Sequence, residues 1–411
     1  MSESRPSVLV TDAGFIPGLT VVRSLGRGGW RVVATHGQDR PRWSISRHAD
    51  VWLTVPSAER APARFAARIA AIAADQEIDL ILATTDKSIY PIDANRAMFE
   101  PGSTLALPKP EALRTARDKD RTTRLAATLG IPTPRSQVAD DAESTLRAAD
   151  EIGWPVVVKP ISSHAPDAGG AITTRSVFHA RNVQELEAAI GSDRLGGFPV
   201  QVQQQVDGPG VGVELLVWQG ETIASFQHRR LHEVPLSGGM SSYRVAERPD
   251  PILLDHSERI LTALGWDGLA MVEFKQGREG PVLLEINGRV WGSIALPVRA
   301  GVDFPLLLAE RYIGPGRLPP AANHLREGVA CRNLELELRW LALASKARLG
   351  RRGATNRPPR FEIARTVAAL ARPSTEFDAQ ILEDWRPGLY DGMQSVTALI
   401  DAIASRRRQP S

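Results

Sequence analysis

At 411 residues the chain is about twice the length of a typical domain, which excludes a lone minidomain and predicts two or three domains with a sizeable core. Hydrophobic residues make up 43% and charged residues 24%, near globular averages, which excludes wholesale disorder. Lys and Arg number 50 against 47 Asp and Glu, a surplus too small to imply nucleic acid; no run approaches the ~18 apolar residues of a membrane span, and no basic stretch with a long apolar core opens the chain, so the cytoplasm is the default location.

Residues 8–11 (VLVT) read as a buried strand, 17–27 as a helix and 31–35 (RVVAT) as a second strand, a βαβ unit that predicts a parallel sheet. A helix over 59–74, carrying Phe65, Ile69 and Ile72 at helical spacing, and an apolar strand at 79–84 complete a small doubly wound α/β domain over residues 1–110. Residues 111–129 form one charged helical stretch that Gly130-Ile131-Pro132 stops. A strand at 155–159 (PVVVK), a polar loop from Ile161 to Ala171, strand-like 172–178 and a helix at 183–191 follow. Strands at 199–206, 211–218 and 222–227, a helix at 251–264 and paired strands at 269–275 and 281–287 give the region 111–318 an α+β character with antiparallel pairing. From 319 to 411 the pattern is mainly helical, with helices at 334–349, 361–371 and 391–405. The lone Cys331 lies here and rules out an intramolecular disulfide; residues 345–360 carry six cations and no acid, as a solvated linker would.

The chemistry is densest in VEFK (272–275) and LLEINGRVWGS (283–293). Residues two apart on a strand share a face, so Glu285 and Asn287 project together, Leu284 and Ile286 turn to the core, and Glu273 joins from the neighbouring strand. Two carboxylates and an amide oxygen suit Mg²⁺, which takes its remaining ligands from phosphates and water. Arg289 stands two residues further along the same face, where a guanidinium stabilises a transferring phosphoryl or acyl-phosphate group.

Lys119, Lys159 in VVVKP, QVQQQVDGPG, VEFK and EINGRVWGS, in that order, resemble the ATP-grasp enzymes, in particular the branch of carbamoyl-phosphate synthase large chains and carboxylate–amine ligases. The resemblance covers residues 1 to about 315 and implies an ATP-grasp fold of two α+β subdomains after the small α/β domain, with a helical extension behind. It implies ATP and Mg²⁺ as cofactors, with Mn²⁺ as a substitute, and small carboxylate and amine substrates.

Residue by residue, Lys119 and Lys159 match the cations on the nucleotide phosphates, and the loop holding Gly169 and Gly170 matches the Gly-rich cover over them. Gln204, Gln205 and Val206 match the connector whose backbone reads the adenine edge, although the family commonly has Glu at Gln204 and a further acid near Val211 for the ribose. In 226–242, His228, Arg229 and Arg230 read as a basic cluster with Ser241 beyond a Gly238-Gly239 turn, together a donor-rich pocket for phosphate or carboxylate. The implied chemistry is that of an ADP-forming ligase: Glu273, Glu285 and Asn287 hold the metal, and Arg289, Lys159, His228 and Arg230 act at the reacting groups. A non-catalytic ATP-binding switch is the alternative. DAGFIPG (12–18) is not G-x-G-x-x-G and the second strand ends without an acid, which weighs against a nicotinamide-dependent oxidoreductase. Thr84, Thr85 and Asp86 fit a cleft wall or ordinary polar loop residues, and the helical extension fits a cap, a homodimer interface or a partner surface.

Overall fold

The computed structural model describes residues 5–37, 44–99, 101–167, 170–191, 198–313, 324–349 and 358–406. The first unit runs β1 (Ser7–Val10), α1 (Ile16–Arg27), β2 (Arg31–His36), β3 (Val51–Thr54), α2 (Pro62–Asp75), β4 (Leu80–Leu82), α3 (Asp86–Asp93) and β5 (Thr104–Leu105). Its strands form a parallel sheet in the order β3-β2-β1-β4-β5. Val8–Val10 of β1 and all of β4 are unbroken apolar runs because helices cover both faces of a parallel sheet. The order reverses between β1 and β4, so the residues just past them, Asp12 and Thr84–Asp86, lie at the crevice where α/β folds take ligands. Asp12 has φ +52°, and its carboxylate accepts from Thr11 and Thr85 Oγ1 (3.3 and 2.7 Å). Gly18 is required beside it, since a Cβ there would stand 2.5 Å from the Asp12 carbonyl oxygen.

The single helix expected over 111–129 is two, α4 (Pro110–Arg117) and α5 (Lys119–Thr128), divided at Asp118. Asp118 adopts extended backbone and its side chain accepts from Arg121 N at 2.9 Å, an N-cap that starts a new helix and sets Lys119 in its first turn.

The next unit comprises β6 (Ser136–Ala139), α6 (Ala142–Ile152), β7 (Val156–Pro160), β8 (His164–Pro166), β9 (Ile172–Thr174), β10 (Phe178–Ala180), α7 (Val183–Gly191) and β11 (Val200–Gln204). Four of these strands make an antiparallel sheet, β10-β7-β11-β6, and β8 pairs with β9 as a separate hairpin. The stretch expected to be a loop therefore has a strand in it: the β8–β9 ladder satisfies backbone groups a loop would leave to solvent.

The largest sheet has six strands in the order β16-β15-β12-β13-β14-β17. They are β12 (Gly210–Trp218), β13 (Glu221–Val234), β14 (Met240–Glu247), β15 (Gly268–Gly277), β16 (Gly280–Asn287) and β17 (Ala330–Arg332), with α8 (Pro251–Ala263) between β14 and β15 and α9 (Ala295–Arg299) and α10 (Phe304–Ile313) after β16. One face carries Val211, Val213, Val272, Phe274, Leu283 and Ile286 into a core with Leu253 and Ile260 of α8. At one end of the other face Leu216, Phe226 and Met271 pack with Phe304, Leu308 and the first unit's Val8 and Val22. The rest of that second face is polar, and there the chemistry lies. Helices α11 (Leu334–Leu349), α12 (Arg360–Leu370) and α13 (Trp385–Arg406) follow. The expectation of a mainly helical end missed β17, three residues that pair with β14 through Tyr243, Arg244 and Val245.

Candidate functional site

Glu273 on β15 stands opposite Glu285 on β16. Like charges facing each other across a ladder are unfavourable, so this pair needs cations. Asn287 Nδ2 donates to Glu273 Oε1 at 2.8 Å, and its Oδ1 accepts from Arg289 at 3.0 Å. Arg289 also donates to Asp86 Oδ2 at 2.6 Å, tying the site to the mouth of the first unit. One detail of the expected face is corrected. A bulge between Glu273 and Phe274 makes Leu284 the extra residue, so Leu283 enters the core with Ile286, and Leu284 does not.

Arg230 on β13 reaches across β12 to Glu273 Oε2 at 2.6 Å and donates to the Gly239 carbonyl oxygen at 2.9 Å. It can cross because β12 has glycine beneath it: a Cβ on Gly210 would meet Arg230 Cδ at 2.8 Å. Lys119 Nζ donates to Ser163 Oγ at 3.0 Å and lies 3.8 Å from Glu285 Oε2. Lys159 is 8% exposed; burial lowers its pKa to about 8 against the opposing pull of Glu285, with Lys119 adding to the depression. Burial likewise works against the charge on Glu285, but Lys119, Lys159, Arg230 and Arg289 outweigh it and hold the carboxyl below its usual range. Glu273 sits above its usual range because burial, reinforced by Glu285, exceeds the pull of Arg230.

These residues fit a phosphate-bound divalent cation. Among the described residues no group of three or more His, Cys, Asp or Glu side chains is placed to hold a metal by itself. Two facing carboxylates and one amide are the sparse donor set that Mg²⁺ accepts when phosphates supply the remaining ligands.

The other expected residues divide. Gly170 has φ +82° and lies in the turn of the β8–β9 hairpin, where it donates to the Asp167 carbonyl at 3.0 Å; Gly169 lies outside the described residues. The hairpin rests on the first unit through Ile172 N to Glu59 O at 2.8 Å, so it spans from Lys119 to the mouth of that unit. Gln204, Gln205 and Val206 do connect the four-stranded sheet to the six-stranded one. The N–H groups of Gln204 and Gln205, however, donate to Arg135 O and Pro155 O at 2.8 and 3.2 Å, so these two donors are already engaged.

The stretch 226–242 is a long hairpin, β13–β14. Strand alternation breaks up the expected basic cluster: Arg229 pairs with Glu247 at 2.6 Å on the opposite face from His228 and Arg230. His228 is 0% exposed, its Nδ1 2.6 Å from Glu214 Oε1, and burial pushes the imidazole well below and the carboxyl well above their usual ranges. Burial thus disfavours the charged form of each partner, and the pair shares one hydrogen bond behind Arg230, so His228 reads as a positioning residue with no surface for substrate. Ser241 lies on β14 opposite Glu233, its Oγ buried and without a partner, as a hydroxyl awaiting a ligand would be.

Several site residues were outside the sequence reading. Glu214 and Arg244 share the face of Arg230, and Arg244 pairs with Asp378, between α12 and α13. Lys275 donates to Glu233 Oε2 at 2.8 Å beside the Gly238 turn. The only signal for Glu214 was its isolation in VGVELLVW, at the same strand parity as Gly210 and Gly212.

A small α/β unit followed by two sheets, with one lysine on the first sheet, a second on the helix before it, and a Glu, Glu, Asn set on the second sheet, defines the ATP-grasp fold, and the chain carries an ATP-grasp domain. More particularly, residues 199–335 match the family described as ATP-grasp in the biosynthetic pathway with Ter operon. The chain is 29% identical over 182 residues to the D-alanine–D-alanine ligase of Pseudomonas putida (strain GB-1), covering 42% of this chain and 54% of that protein. It is 23% identical over 234 residues to the C-terminal section of the carbamoyl phosphate synthase large chain of Aquifex aeolicus, covering 54% of this chain and 42% of that protein. The chain thus spans about half the length of the curated relatives it matches. Among solved structures, biotin carboxylase from Campylobacter jejuni superposes with a TM-score of 0.61 at 16% identity, covering 80% of this chain and 74% of that one. L-amino acid ligase from Bacillus licheniformis gives 0.59 at 15%, covering 80% and 79%. Among the described residues no helix is long and apolar enough to cross a membrane.

Proposed function

We propose that the protein is an ADP-forming ligase that joins a small carboxylate to an amine. The observation that carries the reading is the convergence of Glu273, Glu285 and Asn287 with Lys119, Lys159, Arg230 and Arg289 on one sheet face. Glu273, Glu285 and Asn287 are the residues that would hold Mg²⁺, whose charge, when bound, offsets that of the nucleotide phosphates. Lys119, from the first turn of α5, and Lys159, from β7 of the four-stranded sheet, face Glu285 and hold the phosphates between them. A substrate carboxylate oxygen attacks the γ-phosphorus, the bond to the β-phosphate oxygen breaks, and ADP departs from an acyl phosphate. The amine nitrogen then attacks the acyl carbon, inorganic phosphate leaves with the bonding pair, and the nitrogen gives up a proton. Arg289, held between Asp86 and Asn287, and Arg230, held by Glu273, are fixed guanidiniums that stabilise the charge on the acyl phosphate and on the tetrahedral intermediate. The relatives named D-alanine–D-alanine ligase and L-amino acid ligase support an amino acid as one substrate.

The test is ADP release from Mg-ATP with pooled amino acids and small carboxylic acids, with and without amine donors, in wild type and Glu285→Ala. Release that needs both a carboxylate and an amine and is lost in the variant supports the ligase. ATP binding without turnover in every pool favours a ligand-driven switch instead.

A further inference from the structure

A cavity lies at the far edge of the six-stranded sheet, between β14, β17, α9, α12 and the segment that follows α12. β15 and β17 are separated by four strand spacings, so its wall at Arg332 is ~19 Å across the sheet from Glu273. Its volume is about 790 Å³, within the range of small-molecule sites. Five arginines line it, Arg299, Arg326, Arg332, Arg365 and Arg372, against one carboxylate, Glu376.

That carboxylate is already paired with Arg299, and Arg332 is neutralised from behind by Glu337 while its guanidinium stacks 3.5 Å over the Tyr243 ring. Arg326, Arg365 and Arg372 are left with no acidic partner among the described residues. Arg326, which donates to the Arg299 carbonyl oxygen, and Arg365 and Arg372, on and just beyond α12, bring three exposed, like-charged guanidiniums from two chain segments to one concavity, an arrangement that an anion in the cavity favours. Ser374, Val298, Val329 and Ala369 also line it, as does Thr375, whose hydroxyl donates to the Ala369 carbonyl oxygen at 2.6 Å. Three guanidiniums without an acidic partner among the described residues, beside two that are paired, are the chemistry that receives carboxylate or phosphate oxygens in paired hydrogen bonds.

We propose that this arginine-lined cavity binds a small oxyanion carrying at least two negative charges on a short apolar body, a phosphate ester or a polycarboxylate, at a site separate from the nucleotide. The inference stands independently of the ligase reading, because none of its residues belongs to the Glu273–Glu285 face.

The test is calorimetric titration of the full chain at near-physiological ionic strength, free of divalent metal, with inorganic pyrophosphate and with citrate. Three further proteins are titrated alongside: Arg365→Glu/Arg372→Glu, which changes two exposed side chains; Arg326→Gln, a single exposed change; and Lys159→Ala, which disables phosphate binding at the nucleotide site. The expected result is one saturable site per chain for at least one probe, unchanged in Lys159→Ala and weakened about tenfold or more in both arginine variants. Pyrophosphate alone would identify a phosphate ester, citrate alone a polycarboxylate. No saturable binding to wild type, binding that survives in the arginine variants, or binding lost in Lys159→Ala overturns the proposal.

Discussion

Alkaline pH should weaken nucleotide binding through Lys159. Burial between the two sheets brings its pKa to about 8, whereas a lysine in water titrates near 10.4. At pH 7 about ten in eleven of the free-protein side chains carry the ammonium; at pH 9 only about one in eleven do. If the charged form alone holds the phosphates, the apparent Kd for ATP rises about tenfold between those pH values, ~1.4 kcal/mol. The sign for stability is opposite. The folded pKa lies below the unfolded one, so between about pH 8 and 10.5 the unfolded chain holds more protons, and this residue's contribution to stability rises with pH. The assay is a fluorescent-nucleotide titration at both pH values in wild type and Lys159→Arg, since a guanidinium keeps its charge throughout. A wild-type Kd that changes less than about twofold, or an equal change in Lys159→Arg, refutes the reasoning.

Gly212→Ala should cost about 1–3 kcal/mol, read as a lower Tm, because the new Cβ would stand 2.5 Å from His228 Cε1 and 3.1 Å from Met271 Sδ, in a site with no room to relax. Asp86→Asn preserves shape but removes the charge that anchors Arg289; kcat/KM is expected to fall about tenfold while Tm hardly moves, and an unchanged kcat/KM counts against a role for this anchor. Arg244→Met or Asp378→Leu alone leaves a buried charge unpaired and should cost about 3–5 kcal/mol, whereas the double substitution should recover most of that loss in chemical denaturation.

The grouping of Lys159 with Glu285, Asn287 and Arg289 was legible in the sequence because most of these residues sit on or beside regular strands. VVVKP puts a lysine at the end of a buried strand, and EINGR alternates an acid, an amide and an arginine on one face, so parity alone places them together. Reading failed where parity is interrupted. The bulge at Glu273/Phe274 moved Leu284 out of the core, and 228–230, taken as one cluster, was divided between two faces by the very alternation that served elsewhere. Long-range partners were the other gap. Asp86 lies 203 residues from Arg289, and Asp378 lies 134 from Arg244; nothing local in either stretch announces its partner. β17 was missed for a different reason, since three residues carry too little periodicity and its place is set by β14 beside it.

The central claim, a carboxylate activated as an acyl phosphate on the Glu273–Glu285 face, is tested most directly by following oxygen. With the carboxylate substrate labelled in both oxygens with ¹⁸O, turnover should deliver one labelled oxygen to inorganic phosphate for each amide formed, and Glu285→Ala should deliver none. Amide formation with unlabelled phosphate, or ¹⁸O-phosphate at an undiminished rate in Glu285→Ala, would contradict it.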